Sequence, residues 1–376
     1  MRIGVPTEIK AYEKRVGLVA DSVRELTAHG HEVFVQSGAG LGIGQEDDNY
    51  RAAGADIRPD ASAVFAAADM VVKVKEPQPA ECAMLRPDQT LFTYLHLAPD
   101  PDQAKALMAS GCTAIAYETV TDARGGLPLL APMSAVAGRM ASQVAARLLE
   151  NCAGGAGLLM GGVPGVEPAK VVVIGGGVAG SHALAMAVGL GAEVVVIDRD
   201  TKRLQALDAR YGNAVKTMYS TAAAIERHVT TADAVIGTVL IPGASAPKLV
   251  TRDHVRAMKP GSVIVDVAID QGGCAATARP TTHDAPTFVV DDVVHYCVAN
   301  MPGGVARTSA FALNNATLPF VLALADKGVD RALAGDPHLG SGLNVRNGSI
   351  THAAVAAALD LPCVTAGETA GLRRAA

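Results

Sequence analysis

The sequence lacks the features that mark several common classes of protein. Its six cysteines form no C-x-x-C pair, which argues against a structural zinc site and a disulfide framework and favours a reducing compartment. The net charge of −5 gives no electrostatic footprint for nucleic acid. The first residues read as a strand, MRIGVP, without the apolar core of a signal peptide. We therefore expect a cytoplasmic protein that binds neither nucleic acid nor membranes.

Motifs of hydrolases and phosphate-loop enzymes are also missing. The sequence contains no G-x-S-x-G, H-E-x-x-H or P-loop pattern. Its 376 residues, 49% hydrophobic and 18% charged, have a globular composition and are enough for two ordinary domains. The function has to be sought in a longer motif.

That motif is the stretch KVVVIGGGVAGSHALAMAVGLGAEVVVID, residues 170–198. A β-branched strand leads into Gly175, Gly177 and Gly180, which have the spacing G-x-G-x-x-G. The first glycine allows a tight turn, the second allows a pyrophosphate to approach, and the third allows close packing of helix on strand. Asp198 closes the second strand, where a carboxylate can bind a ribose 2′-OH and repel a 2′-phosphate. The stretch predicts an NAD-binding Rossmann unit.

Two other interpretations of this stretch compete. One is a glycine-rich loop without a ligand, and the other is a membrane span, because 171–192 carries no charge. Three consecutive glycines and the β-branched run argue against one continuous helix. Nearby Arg199, Lys202 and Arg203 weaken the preference for NAD over NADP without reversing it.

The rest of the chain alternates strands and helices. Residues 1–127 predict a mostly parallel, doubly wound sheet, and a long helix is expected from Ser134 to about Leu149. A six-strand dinucleotide domain follows, with one strand at 263–269, and a second long helix is expected at 305–326. We predict an α/β protein of two doubly wound domains, joined by long helices across a cleft. The Rossmann NAD-binding domain, 129–305, is inserted into a discontinuous substrate and catalytic domain, 1–128 and 306–376.

Four polar residues occupy positions suited to hydride-transfer chemistry. His96, Lys75 and Asp270 follow apolar strand-like runs, and Arg15 lies in the loop after the first strand. A histidine can take up and return a proton near neutral pH, and an arginine and a lysine can hold a carboxylate. Each also has an ordinary interpretation, as a structural histidine or a solvated loop charge. Asp266 competes with Asp270, but it is expected in mid-strand as a satisfied buried carboxylate.

These residues lie in motifs that resemble the alanine dehydrogenase family over nearly the whole chain. The matching segments are MRIGVPTEIKAYEKRVGL at the start, KVKEP (73–77), TYLHLAPD (93–100), AYETV (116–120), PMSAVAGRMA (132–141), GGVPGVEPAKVVVIGGGVAG (161–180), DVAIDQGG (266–273), NMPGGVARTSAFALNNATLPFV (300–321) and GLNVRNGSIT (342–351).

The resemblance implies a reaction, a cofactor and a set of site residues. The reaction is the reversible oxidative deamination of L-alanine to pyruvate and ammonia with NAD, by hydride transfer from Cα. His96 and Asp270 would be catalytic, and Arg15 and Lys75 would bind the substrate carboxylate. A homo-oligomer, usually a hexamer, is also implied. The implied cofactor contacts are Ser134, Gly175, Gly177, Val178, Ala179, Gly180, Asp198, Arg203, Ser220, Val239, Leu240, Val267, Ala268, Ile269, Asp270, Asn300 and Met301.

Three alternatives remain open at this point. The chain could be an NAD(H)-binding component of a transhydrogenase-like system without amino-acid turnover, a lysine- or saccharopine-type dehydrogenase, or a non-catalytic NAD-binding sensor. No metal is expected: some relatives bind magnesium through a glutamate in the position of Glu118 and a histidine near position 327, which is a lysine here.

Overall fold

The computed structural model describes residues 1–239 and 246–364, and these divide into two compact units. The discontinuous unit comprises the described residues of Met1–Met133 and Val305–Ala376, and the inserted unit comprises those of Ser134–Gly304. Each unit has its own sheet.

The chain begins with alternating strands and helices of the discontinuous unit. In order they are β1 Arg2–Val5, α1 Ala20–Ala28, β2 Glu32–Gln36, α2 Asp47–Ala52, β3 Asp56–Arg58, α3 Ala61–Ala67, β4 Met70–Val72, α4 Pro79–Cys82, β5 Thr90–Thr93, α5 Pro101–Ser110 and β6 Thr113–Ala116.

The long helix α6, Ala131–Leu148, leads into the inserted unit. It begins three residues before the predicted start at Ser134. The elements that follow are β7 Lys170–Ile174, α7 Val178–Gly189, β8 Glu193–Asp198, α8 Thr201–Tyr211, β9 Val215–Tyr219, α9 Ala222–Val229, β10 Ala234–Gly237, α10 Arg252–Ala257, β11 Val263–Asp266, β12 Thr287–Val290 and β13 Val293–Tyr296.

The chain then returns to the discontinuous unit. The returning elements are α11 Ala306–Lys327, α12 Val329–Gly335, α13 Pro337–Gly340, β14 Leu343–Arg346, β15 Ser349–Ile350 and α14 Ala353–Leu359.

Both sheets are largely parallel. In the discontinuous unit the strand order is β15-β14-β6-β5-β4-β1-β2-β3, and only the pairings of β14 are antiparallel among the described residues. In the inserted unit the order is β12-β13-β11-β10-β7-β8-β9, with one antiparallel pair, β12 and β13. Two α/β units of this kind confirm the predicted fold class.

The sequence-based elements were wrong at three places. Strand β3 was not predicted, because its three residues are only half-buried or exposed and show no apolar run. The inserted unit has seven strands among the described residues rather than six, since β13 returns directly from β12. The strand predicted at 263–269 ends at Asp266, because the Asp266 side chain accepts a hydrogen bond from Ala268 N and starts a 3-10 helix.

Helix α11 is a long apolar helix with one buried side. Together with the short turn before it, the segment Met301–Lys327 is long and apolar enough to cross a membrane. A buried helix of a globular protein meets the same criterion. Here Asn314 is 1% exposed, and its side chain accepts a hydrogen bond from the backbone N–H of Val19. Packing within the unit thus accounts for the apolar composition of this helix.

Candidate active site

His96 lies just beyond the carboxyl end of β5, in a backbone conformation that histidine rarely adopts. Its φ is 49°, which costs of order 1–3 kcal/mol unless the surroundings hold it. The Glu118 carboxylate accepts hydrogen bonds from the backbone N–H of His96 at 2.6 Å and of Leu95 at 3.1 Å. The imidazole stacks on Tyr94, with ring centroids 5.8 Å apart, yet it is 42% exposed. The ring is therefore held in place and still accessible to a small molecule.

Arg15 is buried, with 2% of its surface exposed. Its Nε and Nη2 donate to the two oxygens of Glu13 at 2.7 and 2.5 Å, and Nη1 contacts Met133 Sδ at 2.9 Å. Burial by itself lowers the pKa of Arg15, but the hydrogen-bonded Glu13 outweighs burial and the pKa is raised. Arg15 is thus a fixed positive charge, and the interpretation as a solvated loop arginine is wrong.

Lys75 and His96 both interact electrostatically with the carboxylate of Glu76. Lys75 lies just beyond β4, with Nζ 4.0 Å from Glu76 Oε2, and Lys10 forms an ion pair with the other oxygen. Burial raises the pKa of Glu76, but Lys75, Lys10 and His96 outweigh it and the pKa is lowered. Lys75 and His96 therefore lie within electrostatic range of one ionised group.

The strand order explains why these residues come together. His96, Lys75 and Arg15 follow the carboxyl ends of β5, β4 and β1, which are adjacent in the sheet. Side chains that follow adjacent parallel strands meet at one edge of a sheet. Tyr94, whose hydroxyl donates to Leu129 O at 2.5 Å, also interacts electrostatically with Arg15. The structure thus gathers the three residues in one region of the discontinuous unit.

Beneath this region lies a buried charge triad, Lys73 with Glu8 and Glu81, which was not predicted. Lys73 Nζ is 3.1 Å from Glu8 Oε2 and 2.6 Å from Glu81 Oε1. The three side chains are 0%, 2% and 2% exposed. Glu8 Oε1 also accepts a hydrogen bond from Val74 N at 2.6 Å, directly before Lys75. The available signal was a lysine inside an apolar run, since a buried lysine needs a partner.

The charges of the triad are set by competition between burial and pairing. Burial lowers the pKa of Lys73, but Glu8 and Glu81 outweigh it and the pKa is raised. Burial raises the pKa of Glu8. Lys73 and the Val74 N–H lower it by less, so the pKa of Glu8 is raised overall. The ammonium is therefore a fixed charge that offsets part of the effect of burial on Glu8.

In the inserted unit, the glycine turn connects β7 to α7. Gly175 has φ +99°, and a Cβ on Gly180 would lie 1.8 Å from Gly175 O. A Cβ on Gly177, the residue that precedes α7, would meet nothing within 4 Å. The start of α7, with Val178 and Ala179, therefore faces open space next to Gly177, where its N–H groups favour an anion.

Asp198 lies beside this turn at the end of β8. Its Oδ2 accepts from Gly176 N at 2.6 Å and from Arg203 Nη1 at 3.1 Å, and Oδ1 accepts from Asp200 N at 2.8 Å. Burial raises the pKa of Asp198, but these donors outweigh it and the pKa is lowered. Ser220 N donates to the main-chain oxygen of Asp198 at 3.0 Å. Arg203 thus pairs with the ionised carboxylate of Asp198, and Ser220 is joined to Asp198 through the main chain.

Asp270 lies in a 3-10 helix, Val267–Gln271, rather than at the end of a strand as predicted. The strand ends at Asp266 instead, so Asp266 is a strand-end carboxylate and not a mid-strand one. Asp270 is exposed, and its Oδ1 is 3.3 Å from the backbone N of Asn300. The structure therefore joins Asp270 and Asn300.

The remaining predicted cofactor residues differ in exposure. Met301 is 3% exposed and packs in the hydrophobic core of the inserted unit. Ser134 is half-buried on α6, and Val239 follows β10. Leu240 lies outside the described residues. Within the 3-10 helix, Ala268 and Ile269 are buried and Val267 is half-buried.

The described part of the chain, residues 1–239 and 246–364, holds no group of three or more His, Cys, Asp or Glu side chains arranged to bind a metal ion. Glu118 accepts hydrogen bonds from the backbone N–H groups of Leu95 and His96.

Comparison with known proteins covers both units. The family models described as "Alanine dehydrogenase/PNT, N-terminal domain" and "Alanine dehydrogenase/PNT, C-terminal domain" match residues 4–137 and 141–353. The alanine dehydrogenase of Halomonas elongata is 58% identical over 371 residues, which cover 99% of this chain and 100% of the relative.

Two solved structures can be compared with this chain. An L-alanine dehydrogenase superposes with a TM-score of 0.93 at 52% identity, over 96% of this chain and 99% of its own. A transhydrogenase from Sinorhizobium meliloti superposes with a TM-score of 0.80 at 27% identity, over 94% of this chain and 100% of its own. The similarity is greater to the dehydrogenase on both measures.

Proposed function

Because the chain belongs to the alanine dehydrogenase/PNT family, we propose how its residues carry out the oxidative deamination of L-alanine. The protein is an oxidoreductase that converts L-alanine reversibly to pyruvate and ammonia. The transhydrogenase-like alternative is less favoured, since the similarity to the solved transhydrogenase is lower. The observation that carries the mechanism is the grouping of Arg15, Lys75 and His96 after three adjacent strands.

The inserted unit fits a dinucleotide. The open space beside Gly177 and the start of α7 would accept the pyrophosphate, and Asp198 would accept hydrogen bonds from a ribose. The lowered pKa of Asp198 keeps its charge, which disfavours the 2′-phosphate of NADP. Arg203 reduces this discrimination, because it already pairs with Asp198. When bound, the nicotinamide ring supplies the acceptor for a hydride.

The substrate carboxylate would be held by Arg15 and Lys75. The raised pKa of Arg15 guarantees its charge, and Glu13 fixes the plane of its guanidinium by a bidentate contact. Lys75 adds a point charge from a half-buried position. With the carboxylate fixed, fewer orientations of the substrate Cα remain, which favours hydride loss.

His96 would handle the protons of the deamination. Loss of the Cα hydride from the neutral amine leaves an iminium ion, to which water must add. His96 accepts a proton as the water adds, and it returns a proton to the nitrogen as ammonia leaves. Asp270 would orient the water or the amino group. The exposure of the His96 ring and its fixed backbone support this role.

The test is the formation of NADH by the purified protein, followed by absorbance, with NAD and L-alanine. Parallel reactions contain NADP in place of NAD, or L-lysine or L-glutamate in place of L-alanine. We expect turnover with alanine and NAD and little with the other combinations. Tight NADH binding without turnover of alanine would contradict the proposal and would support the transhydrogenase-like or sensor alternatives.

We also propose that the protein acts as a homo-oligomer, a hexamer as the family resemblance implies. Exposed apolar side chains on and just before the Val163–Val166 hairpin support a contact with another copy, since Leu159, Val163 and Val166 are 67%, 53% and 63% exposed. Light scattering coupled to gel filtration measures the mass, and a monomer at micromolar concentration would contradict this proposal.

A further inference from the structure

The two ends of the turn that carries Asp270 are hydrogen-bonded to one buried carboxylate, that of Asp266. We call residues 267–275 the Asp270 turn. It leaves β11 as a 3-10 helix and reverses at Gly272 and Gly273, whose φ values are +89° and +75°. It ends where Ala275 forms a bridge with Val250.

Asp266 bonds both ends of this turn. Its Oδ1 accepts from Ala268 N at 3.2 Å, and its Oδ2 accepts from Ala275 N at 3.0 Å. The fit is close, since a Cβ on Gly273 would lie 2.7 Å from Oδ2. A single side chain therefore fixes the distance between the start and the end of the segment that carries Asp270.

Lys248 holds the same segment through its carbonyl groups. Its Nζ donates to Gly273 O at 2.9 Å, to Ala275 O at 3.2 Å and to Gly272 O. The N–H groups at the two ends of the turn thus bond to Asp266, and the carbonyls at its far end bond to Lys248.

Stability alone does not explain Asp266. The residue is 0% exposed, and no Lys or Arg nitrogen in the described ranges lies within ion-pair distance of it, although Lys248 interacts with it electrostatically. Burial raises its pKa, and this outweighs the opposite effect of the backbone donors, of Lys248 and of the Cys274 thiol. A buried carboxylate without a cation in contact costs folding free energy. What this carboxylate provides is a defined backbone for the residues that follow it.

We propose that Asp266 is a positioning residue for the reaction, which acts by fixing the Asp270 turn and with it the Asp270 carboxylate. Lys248 supports the same turn from its exposed side. The inference rests on the proposed role of Asp270 in orienting water or the amino group.

The test is a double-mutant cycle on the full-length protein, with kcat for L-alanine as the readout. In Asp266→Asn, the amide can accept one of the two N–H groups but presents a donor to the other. We expect kcat to fall about 10²-fold, the scale for a displacement of about 1 Å of a catalytic group. KM for alanine should change little, since Arg15 and Lys75, the proposed ligands of the substrate carboxylate, are unchanged in this variant. In an Asp270→Asn background, Asp266→Asn should cause no further loss.

A second variant keeps the test decisive if Asp266→Asn does not fold. Lys248→Gln changes an exposed side chain that holds the same turn, and we expect a smaller fall in kcat that also vanishes in the Asp270→Asn background. The matched control is Lys259→Gln, an exposed lysine of the inserted unit that pairs with Asp233 and should leave kcat unchanged.

Each contrary result has its own meaning. If Asp266→Asn and Lys248→Gln leave kcat at the wild-type value, or lower it by the same factor with and without Asp270, the positioning role is wrong. If Asp270→Asn itself turns over normally, the proposed role of Asp270 is wrong, and the positioning role falls with it.

Discussion

Removal of the buried ammonium of Lys73 should strongly destabilise the discontinuous unit. Lys73→Met keeps a chain of similar length but leaves Glu8 and Glu81, each with a side chain 2% exposed, without their cation. Loss of one partner from a buried ion pair costs about 3–5 kcal/mol, because the remaining charge stays buried and unpaired. The assay is urea unfolding followed by circular dichroism, with the shift in midpoint converted through the slope of the transition.

The destabilisation should depend on pH, with a sign that follows from Glu8. The pKa of Glu8 is raised in the folded protein above its ordinary value of 4.5. Its protonated form therefore favours folding below that value, and this stabilisation is lost as the pH rises through the raised pKa. Without Lys73 the pKa should rise further. The difference in free energy of unfolding between wild type and Lys73→Met should thus be smaller under mildly acidic than under alkaline conditions.

The matched control is Lys105→Met, which removes an exposed lysine of the same unit that pairs with Asp102. Exposed pairs of this kind contribute little, so its unfolding midpoint should stay near that of wild type. If the unfolding midpoint of Lys73→Met equals that of Lys105→Met at every pH, the Lys73 ammonium does not stabilise the buried carboxylates of the triad.

Two further substitutions probe the substrate and cofactor residues. Arg15→Lys keeps the charge but replaces the planar guanidinium by a point charge, so at least one charge-assisted hydrogen bond to the substrate carboxylate should be lost. Such a bond contributes about 1.5–3 kcal/mol, so KM for alanine should rise by roughly 10-fold or more. Steady-state kinetics measures this, with Arg51→Lys on the surface as the control, and an unchanged KM would exclude Arg15 from substrate binding. Asp198→Ala removes the charge that disfavours a 2′-phosphate, so the ratio of kcat/KM for NAD to that for NADP should fall. A constant ratio would show that Asp198 does not select the cofactor.

The fold could be predicted because its signals are local. The β-branched run before Gly175, the glycine spacing and the strand that ends at Asp198 are all contained in one short stretch, and the structure has β7, α7 and β8 there. The boundary at Asp266 was missed because apolar residues continue to Ile269, and only the side-chain bond to Ala268 N shows that the strand has ended.

The candidate site could be predicted only in part, because several of its features are tertiary. The sequence indicated His96 as a strand-end residue, but its positive φ and its dependence on Glu118 arise from contact between loops after different strands. Likewise, Lys73 and Glu8 are far apart in the sequence, and nothing in the local pattern indicates that they meet. Fixed charges in a core depend on partners that only the folded chain brings together.

The most direct measurement is the rate of NADH formation from NAD and L-alanine by His96→Ala, compared with wild type and with His29→Ala. His29 is an exposed histidine of the same unit that pairs with Asp326, so its variant serves as the control. If His96 transfers the protons of the deamination, kcat of His96→Ala should fall by roughly 10²–10⁴-fold, while His29→Ala and wild type turn over equally and NADH still binds to all three. Turnover by His96→Ala at the wild-type rate would contradict the proposed mechanism.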